Sequence, residues 1–252
     1  ETWNIKHPEV LVKIHEDYLN AGANIILSNT FGANRLKYNE AAKFNLDEIV
    51  DAAMKNARTA VEHCGRGYVA LDLGPTGRLL KPMGDLDFEE AVSIYTEVVK
   101  AGVRGGADLI LIETMSDTYE SSSGSGGKGK FRSSNLCNHN FRWKRQTFNR
   151  RNTEVRCGTF GRSGRGCAWN QLWIRSGSDE ADCGRTASVC VDPGGCQSKC
   201  GTSAKQGGKT VYDIDPPEFV EEMKGMLEMG VSGSRGLLWY DPGAHPSAGR
   251  DV

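Results

Sequence analysis

A chain of 252 residues has room for one large domain or two small ones, and its net charge of −1 with 25% charged residues is ordinary for a globular protein. No apolar run approaches the roughly 20 residues that a membrane-spanning helix needs, which argues against a membrane partner. No basic-then-apolar leader opens the sequence, so the default location is cytoplasmic.

The averages hide a split. Ser121 to Gly207 carries 15 Lys+Arg against 5 Asp+Glu, while the remainder carries 16 against 27. Seven of the eight cysteines, all but Cys64, also lie in that middle stretch. Two compositions are joined in one chain.

The first half alternates helix and strand signals. Pro8 to Ala21 has apolar residues at Val10, Leu11, Ile14, Tyr18 and Leu19, a helical stripe opened by Pro8 and stopped by Gly22. Asn24 to Ser28 reads as a strand that runs into Asn29-Thr30-Phe31-Gly32. Asn45 with Glu48 is a capping-box pattern that opens a helix through Ile49, Ala53, Ala57 and Val61. Gly67 to Leu73 is the next strand, followed by the tight loop Gly74-Pro75-Thr76-Gly77. Asp87 with Glu90 repeats the capping box ahead of a helix through Ile94, Tyr95, Val98 and Val99. Asp108 to Asp117, DLILIETMSD, then reads as a strand buried on both faces that ends in Glu113. Glu113 stands where open α/β sheets and barrels place their chemistry, or it caps the helix that follows.

Strands therefore begin near residues 24, 68 and 108 with a helix between each pair. This is a βαβαβ series, which gives a parallel sheet with right-handed crossovers. The fold class is α/β; eight such units would make a (β/α)8 TIM-type barrel, and a doubly wound sheet is the alternative. No GxGxxG follows any of the three strands, which weakens a dinucleotide-binding reading.

Cys64 closes a helix and reads as structural; His7, His15 and His63 lie on helices or their edges and read as surface or satisfied residues. Met223, Met226 and Met229 follow a helix signal at Asp215-Pro-Pro-Glu218 and read as core-facing.

Four ordered stretches carry a resemblance. AGANIILSNTFGAN (Ala21 to Asn34), DLGPTGRLLKPMGDLDFEEA (Asp72 to Ala91), DLILIETMSD and GKTVYDIDPPEFVEEMKGMLEMGV (Gly208 to Val231) resemble the homocysteine S-methyltransferase domain, the zinc barrel of methionine synthase and of betaine- or S-methylmethionine-dependent methyltransferases. The resemblance implies a (β/α)8 barrel that transfers a methyl group to zinc-bound homocysteine, giving methionine. It implies homocysteine as substrate, and methylcobalamin or a small methyl donor as partner. In the family, zinc is held by one cysteine of an NCG motif and by the adjacent pair of a GGCCG motif. The metal keeps the substrate sulfur as thiolate, the species that attacks the methyl donor. By the same resemblance Glu113 holds the substrate ammonium, and Asn29 and Thr30 line the same mouth.

The chain departs from that pattern in two ways. The family's first strand, with its DGAMGT-like motif, is expected ahead of Glu1. Neither zinc motif is present, since the sequence has no Cys-Cys pair and no Asn-Cys-Gly. The barrel is therefore expected to be incomplete and to fold partially at best.

A shifted reading frame accounts for the second departure. Trp has one codon, so moving the frame by one base turns Trp173-Ile, Trp169-Asn and Trp239-Tyr each into Gly. With permitted codons Asn170 to Glu180 becomes INCGFGPDQM, and Arg235 to His245 becomes GGCCGTTPEHI. The family zinc cysteines then fall at Leu172, Leu237 and Leu238. This divides the chain into barrel units over 1–120, an aberrant Arg/Gly/Ser/Cys-rich segment over 121–207 that is expected to be disordered, an in-frame late helix over 208–231, and an aberrant tail over 232–252. The alternatives are an inserted Cys-rich zinc-binding segment or a basic nucleic-acid segment in which Trp143, Trp169 and Trp173 stack bases. The cysteines include no CxxC pair, which disfavours a zinc finger. The charged stretch has no periodicity, so nucleic acid is the weaker partner.

Overall fold

The computed structural model describes residues 1–39, 41–115 and 120 in full. Beyond these it describes the backbone of six later strands, Ser134–Asn140, Ala168–Trp173, Gly195–Lys199, Ser203–Gln206, Lys209–Tyr212 and Gly233–Gly236, and the positions 217, 221 and 224. The chain divides into two compact units, Glu1–Cys137 and Asn138–Val252.

The first unit is built from α1 (Trp3–Lys6), α2 (Pro8–Asn20), β1 (Ile25–Leu27), α3 (Leu46–Cys64), β2 (Tyr68–Leu73), α4 (Phe88–Arg104) and β3 (Leu109–Met115). The strands pair in parallel, with Leu27 beside Ala70 and Asp72 beside Leu111. The three strands and three main helices expected from the sequence are present, each within a residue or two of its expected limits. The four-residue α1 was not expected.

Helix α3 starts as its sequence dictates. The Glu48 amide donates to the Asn45 side chain at 2.9 Å and the Asn45 amide donates to the Glu48 carboxylate at 2.9 Å, a complete capping box. The second box does not form. Asp87 has the extended backbone of an N-cap, but its carboxylate instead accepts a bond from Lys81 at 2.9 Å. The loop ahead of α4 folds back through a Leu80–Leu86 bridge. That fold brings the Lys81 ammonium to the carboxylate, and the exposed ion pair takes the oxygen that would otherwise cap the helix.

The core lies between the sheet and the helices. Ile49, Val50, Met54 and Ala57 of α3, Ile94, Val98 and Ala101 of α4, and Val69, Leu71, Ile110 and Ile112 of the strands are all buried. Alpha4 approaches β2 closely at Gly102, where an added Cβ would stand 2.5 Å from the Leu71 side chain. Leu71 therefore faces α4. Because strand side chains alternate, Asp72 faces the other way, and its register partner Leu111 shares that face.

In the second unit, β5 (Ala168–Trp173), β6 (Gly195–Lys199) and β9 (Gly233–Gly236) pair in parallel, while β7 (Ser203–Gln206) and β8 (Lys209–Tyr212) form an antiparallel hairpin. Strand β4 (Ser134–Asn140) spans the boundary between the units in sequence. Strands thus occur inside 121–207, where the sequence shows no strand alternation. Ladder bonds are made by the backbone, so pairing does not require the period-two pattern that makes a strand legible. The boundaries expected at 120/121, 207/208 and 231/232 border or fall among residues outside the described set. So do the side chains of Met223, Met226 and Met229. Pro217, Glu221 and Lys224 have helical backbone and are exposed, at the spacing of one helical face.

Candidate functional site

Beta1, β2 and β3 end on the same side of the first unit, and the loops that follow them build one rim. Glu113 lies two residues before the end of β3 at Met115 and is 2% exposed. It lies two residues beyond Leu111, so it shares a face with Asp72, itself 5% exposed. The two residues stand diagonally on adjacent parallel strands, on the same face. Both point away from α4. The residue after Glu113 is strained: Thr114 has φ 62°, the left-handed region, in a β-branched side chain. Such a conformation costs of order 1–3 kcal/mol and concentrates at functional sites.

The rim after β1 is braced from two directions. Thr30 is fully buried; its hydroxyl donates to the Asp72 carbonyl at 2.8 Å and lies 2.7 Å from the Ser28 hydroxyl, and the Asp72 amide donates to Ser28 at 3.2 Å. Asn29 forms a reciprocal pair with Asn4 of α1. The Asn4 amide group donates to the Asn29 carbonyl at 2.8 Å, and the Asn29 amide group reaches the Asn4 oxygen at 3.3 Å. Asn4 is 2% exposed, and its own carbonyl accepts from Asn56 of α3 at 2.9 Å. Asn29, Thr30 and Glu113 therefore do stand at one end of three neighbouring strands. The side chains of Asn29 and Thr30 are engaged in holding the rim.

Sequence reasoning missed three members of this arrangement. Asp72 is hidden inside the apolar run YVALDL, where it reads as an interruption of a strand. Asn4 sits on a helix too short to show a period. Glu120 follows the last legible strand, yet one of its carboxylate oxygens accepts from the Thr76 amide at 2.8 Å, the Thr76 hydroxyl at 2.6 Å and the Tyr95 hydroxyl at 3.1 Å. Burial, and then the negative charge of Glu120, push the Tyr95 hydroxyl well above the ordinary tyrosine range.

The histidines and the described cysteine lie apart from the rim. His63 pairs with Glu16 at 2.7 Å on the surface, Cys64 closes α3, and His15 is buried on α2. Among the described residues no three His, Cys, Asp or Glu side chains come together to hold a metal ion. Leu172 stands on β5, and its hydrocarbon side chain offers no donor; Leu237 and Leu238 lie outside the described residues. The donor set of a three-thiolate zinc site is therefore not met by the residues at those positions.

An open groove of about 630 Å³ lies elsewhere, lined by Arg35, Glu97, Lys100 and Arg104 among others. It contains none of the rim carboxylates. Arg35 pairs with Glu97, and Arg104 pairs with Asp47 and Asp51 at 3.0 Å each, so it reads as a solvated ion-pair surface. No helix among the described residues is long and apolar enough to cross a membrane.

The sequence and fold are similar to known proteins. A family profile for homocysteine S-methyltransferase covers residues 1–126. The structure is similar to the homocysteine methyltransferase MmuM from Escherichia coli in its metallated form, with a TM-score of 0.83 and 15% identity over 100% of this chain and 87% of that one. The oxidised form of MmuM matches with a TM-score of 0.81 at 15% identity over 98% and 85% of the two chains. Its apo form matches with a TM-score of 0.76 at 15% identity over 98% and 86%. At that identity the likeness speaks for the fold, the TIM-type α/β barrel. Among the described residues six strands pair in parallel within the two units, short of the eight of a closed barrel. With its first half matched by the family profile, the chain belongs to the homocysteine S-methyltransferase family.

Proposed function

We propose that this chain carries the amino-acid-holding part of a homocysteine S-methyltransferase and performs no methyl transfer itself. The observation that carries the reading is the buried carboxylate of Glu113 at the C-terminal end of β3, facing the same way as Asp72 and adjoining the strained Thr114. A buried negative face at the mouth of parallel strands suits the ammonium of a small amino acid. In a site of low dielectric that ion pair is stronger than it would be in water. In this reading Glu113 accepts the ammonium hydrogen bonds of homocysteine. Asn29, held by Asn4, and Thr30, held by the Asp72 carbonyl, fix the wall beside it.

In the family reading Zn2+ would supply a thiolate at neutral pH, ready to receive the methyl of methylcobalamin or of a small donor. The positions that would hold it are Leu172, Leu237 and Leu238, and leucine cannot ligate, so no step is derived through the metal. The backbone register supports the shifted-frame account of these positions. Leu172 pairs with Ser198, which pairs with Gly236, the residue before Leu237. The NCG position and the GGCCG position thus follow parallel strands separated only by β6.

Titration calorimetry with homocysteine tests the substrate half. We expect saturable binding by the chain and a 10- to 100-fold loss in Glu113→Gln, the range for a hydrogen bond to a charged group. Equal binding by the variant would sink the assignment. Incubation with homocysteine and either S-methylmethionine or methylcobalamin should yield no methionine. Stoichiometric zinc that disappears on replacing Cys196 and Cys200 would overturn the inactive reading. The coding nucleotides decide the frame: a shifted frame that does not encode NCG and GGCCG at these places removes that account.

A further inference from the structure

The buried Glu120 is used by nothing described so far, and three donors converge on one of its oxygens. Two of them belong to Thr76, in the loop between β2 and α4. The Thr76 hydroxyl has one proton and two acceptors in reach, the Arg78 carbonyl at 3.2 Å and Glu120 at 2.6 Å. The shorter, charge-assisted bond takes it, leaving the hydroxyl oxygen to accept from the Arg78 amide at 3.3 Å. The third donor, Tyr95, comes from α4, and its hydroxyl also lies 3.1 Å from the Gly74 carbonyl. Glu120 thus ties the start of the β2–α4 connection, at Thr76, to the body of α4, at Tyr95.

That connection in turn supports the rim. The Gly74 amide donates to the Phe31 carbonyl at 3.0 Å. The approach there is so close that a Cβ on Gly74 would stand 2.4 Å from the Phe31 oxygen. Phe31 follows Asn29 and Thr30 directly. A continuous line of contacts therefore runs from Glu120 through Thr76 and Gly74, all buried, to the Phe31 backbone and so to the wall beside Glu113; the Phe31 ring itself is exposed.

We propose that Glu120 is a positioning residue: by clamping Thr76 it sets the height of the β2–α4 loop, hence the spacing between the Asn29–Thr30 wall and Glu113, and so governs how tightly the amino-acid substrate is held. The clamp is a feature of the loop itself, whereas its effect on substrate rests on the functional reading above. The carboxylate does this without touching substrate.

Two readouts separate the clamp from that reading. Hydrogen exchange at the Thr76 amide reports the clamp with no ligand present, and calorimetric titration with homocysteine reports its consequence. The variants are Glu120→Gln, which keeps the shape and removes the charge, and Thr76→Val, which removes one hydroxyl and leaves the amide bond. The control is Arg78→Ala, which breaks only an exposed pair with Asp85. We expect exchange at the residue 76 amide to rise about tenfold in Glu120→Gln and less in Thr76→Val, which keeps that amide's bond, homocysteine affinity to fall about tenfold in Glu120→Gln, the scale of one charge-assisted hydrogen bond, and the control to leave both unchanged. Unchanged exchange in Glu120→Gln overturns the clamp. Faster exchange with unchanged affinity overturns the positioning role. If the unmodified chain binds no homocysteine, the functional reading fails and the substrate half of the proposal falls with it, while the exchange measurement still decides whether the clamp exists.

Discussion

His15 should make the first unit acid-sensitive, by an amount the structure sets. The side chain is 7% exposed on the inner face of α2 with Leu11 and Leu19, and burial pulls its pKa from 6.5 down to about 4. A depressed histidine pKa means the folded state binds the proton less readily than the unfolded chain. Stability is therefore complete above pH 6.5 and is lost as pH falls from 6.5 toward 4. One proton linked between those values gives a loss of about 1 kcal/mol at pH 5.5 and about 2–3 kcal/mol at pH 4.5. His15→Leu has no proton to gain, so this part of the acid slope should vanish from the variant. Urea unfolding followed by helical circular dichroism suits the test, because α1 to α4 all lie in the first unit. The quantity to plot is the difference between the two proteins at pH 7, 5.5 and 4.5, in which the carboxylates common to both cancel. Parallel pH curves would refute the argument, since they would mean that His15 titrates alike in folded and unfolded chains.

Two further outcomes are expected. Asn4→Ala removes a buried side chain that both donates to and accepts from Asn29, and should cost about 2–3 kcal/mol in the same urea assay, with homocysteine binding weakened as the rim loosens. The combined substitution Leu172→Cys, Leu237→Cys and Leu238→Cys should confer zinc that survives gel filtration, measured by elemental analysis. No gain of metal over the parent chain would argue against those positions as the lost ligand set.

How legible this was follows from what each feature advertises. The βαβαβ core of the first unit shows in the sequence because burial imposes periods, and Asn45 with Glu48 shows because a capping box is a local bargain between two side chains. Asp87 with Glu90 has the same spelling and a different outcome, because Lys81 arrives from a loop whose fold is decided by Leu80 and Leu86 packing elsewhere. Glu113 is legible by its place at the end of an apolar run. Asp72 is not, since a single polar residue in a strand carries no mark of which face it is on until the register with Leu111 is known. Glu120 and Asn4 act over long sequence separations, and nothing near them in the chain names Thr76 or Asn29 as partners. The strands of 121–207 were illegible for a different reason: their side chains do not alternate, and only the ladder identifies them.

Thr114 carries an implication of its own. A threonine held at φ 62° is a standing debt that glycine would cancel at once, by a change of two bases in any threonine codon. Selection for stability alone favours that exchange, and only a demand on the geometry beside Glu113 opposes it. If the chain holds homocysteine without transferring a methyl group, as proposed above, that demand is reduced to binding alone. The strain therefore has a measurable release: Thr114→Gly should stabilise the first unit while loosening the geometry beside Glu113.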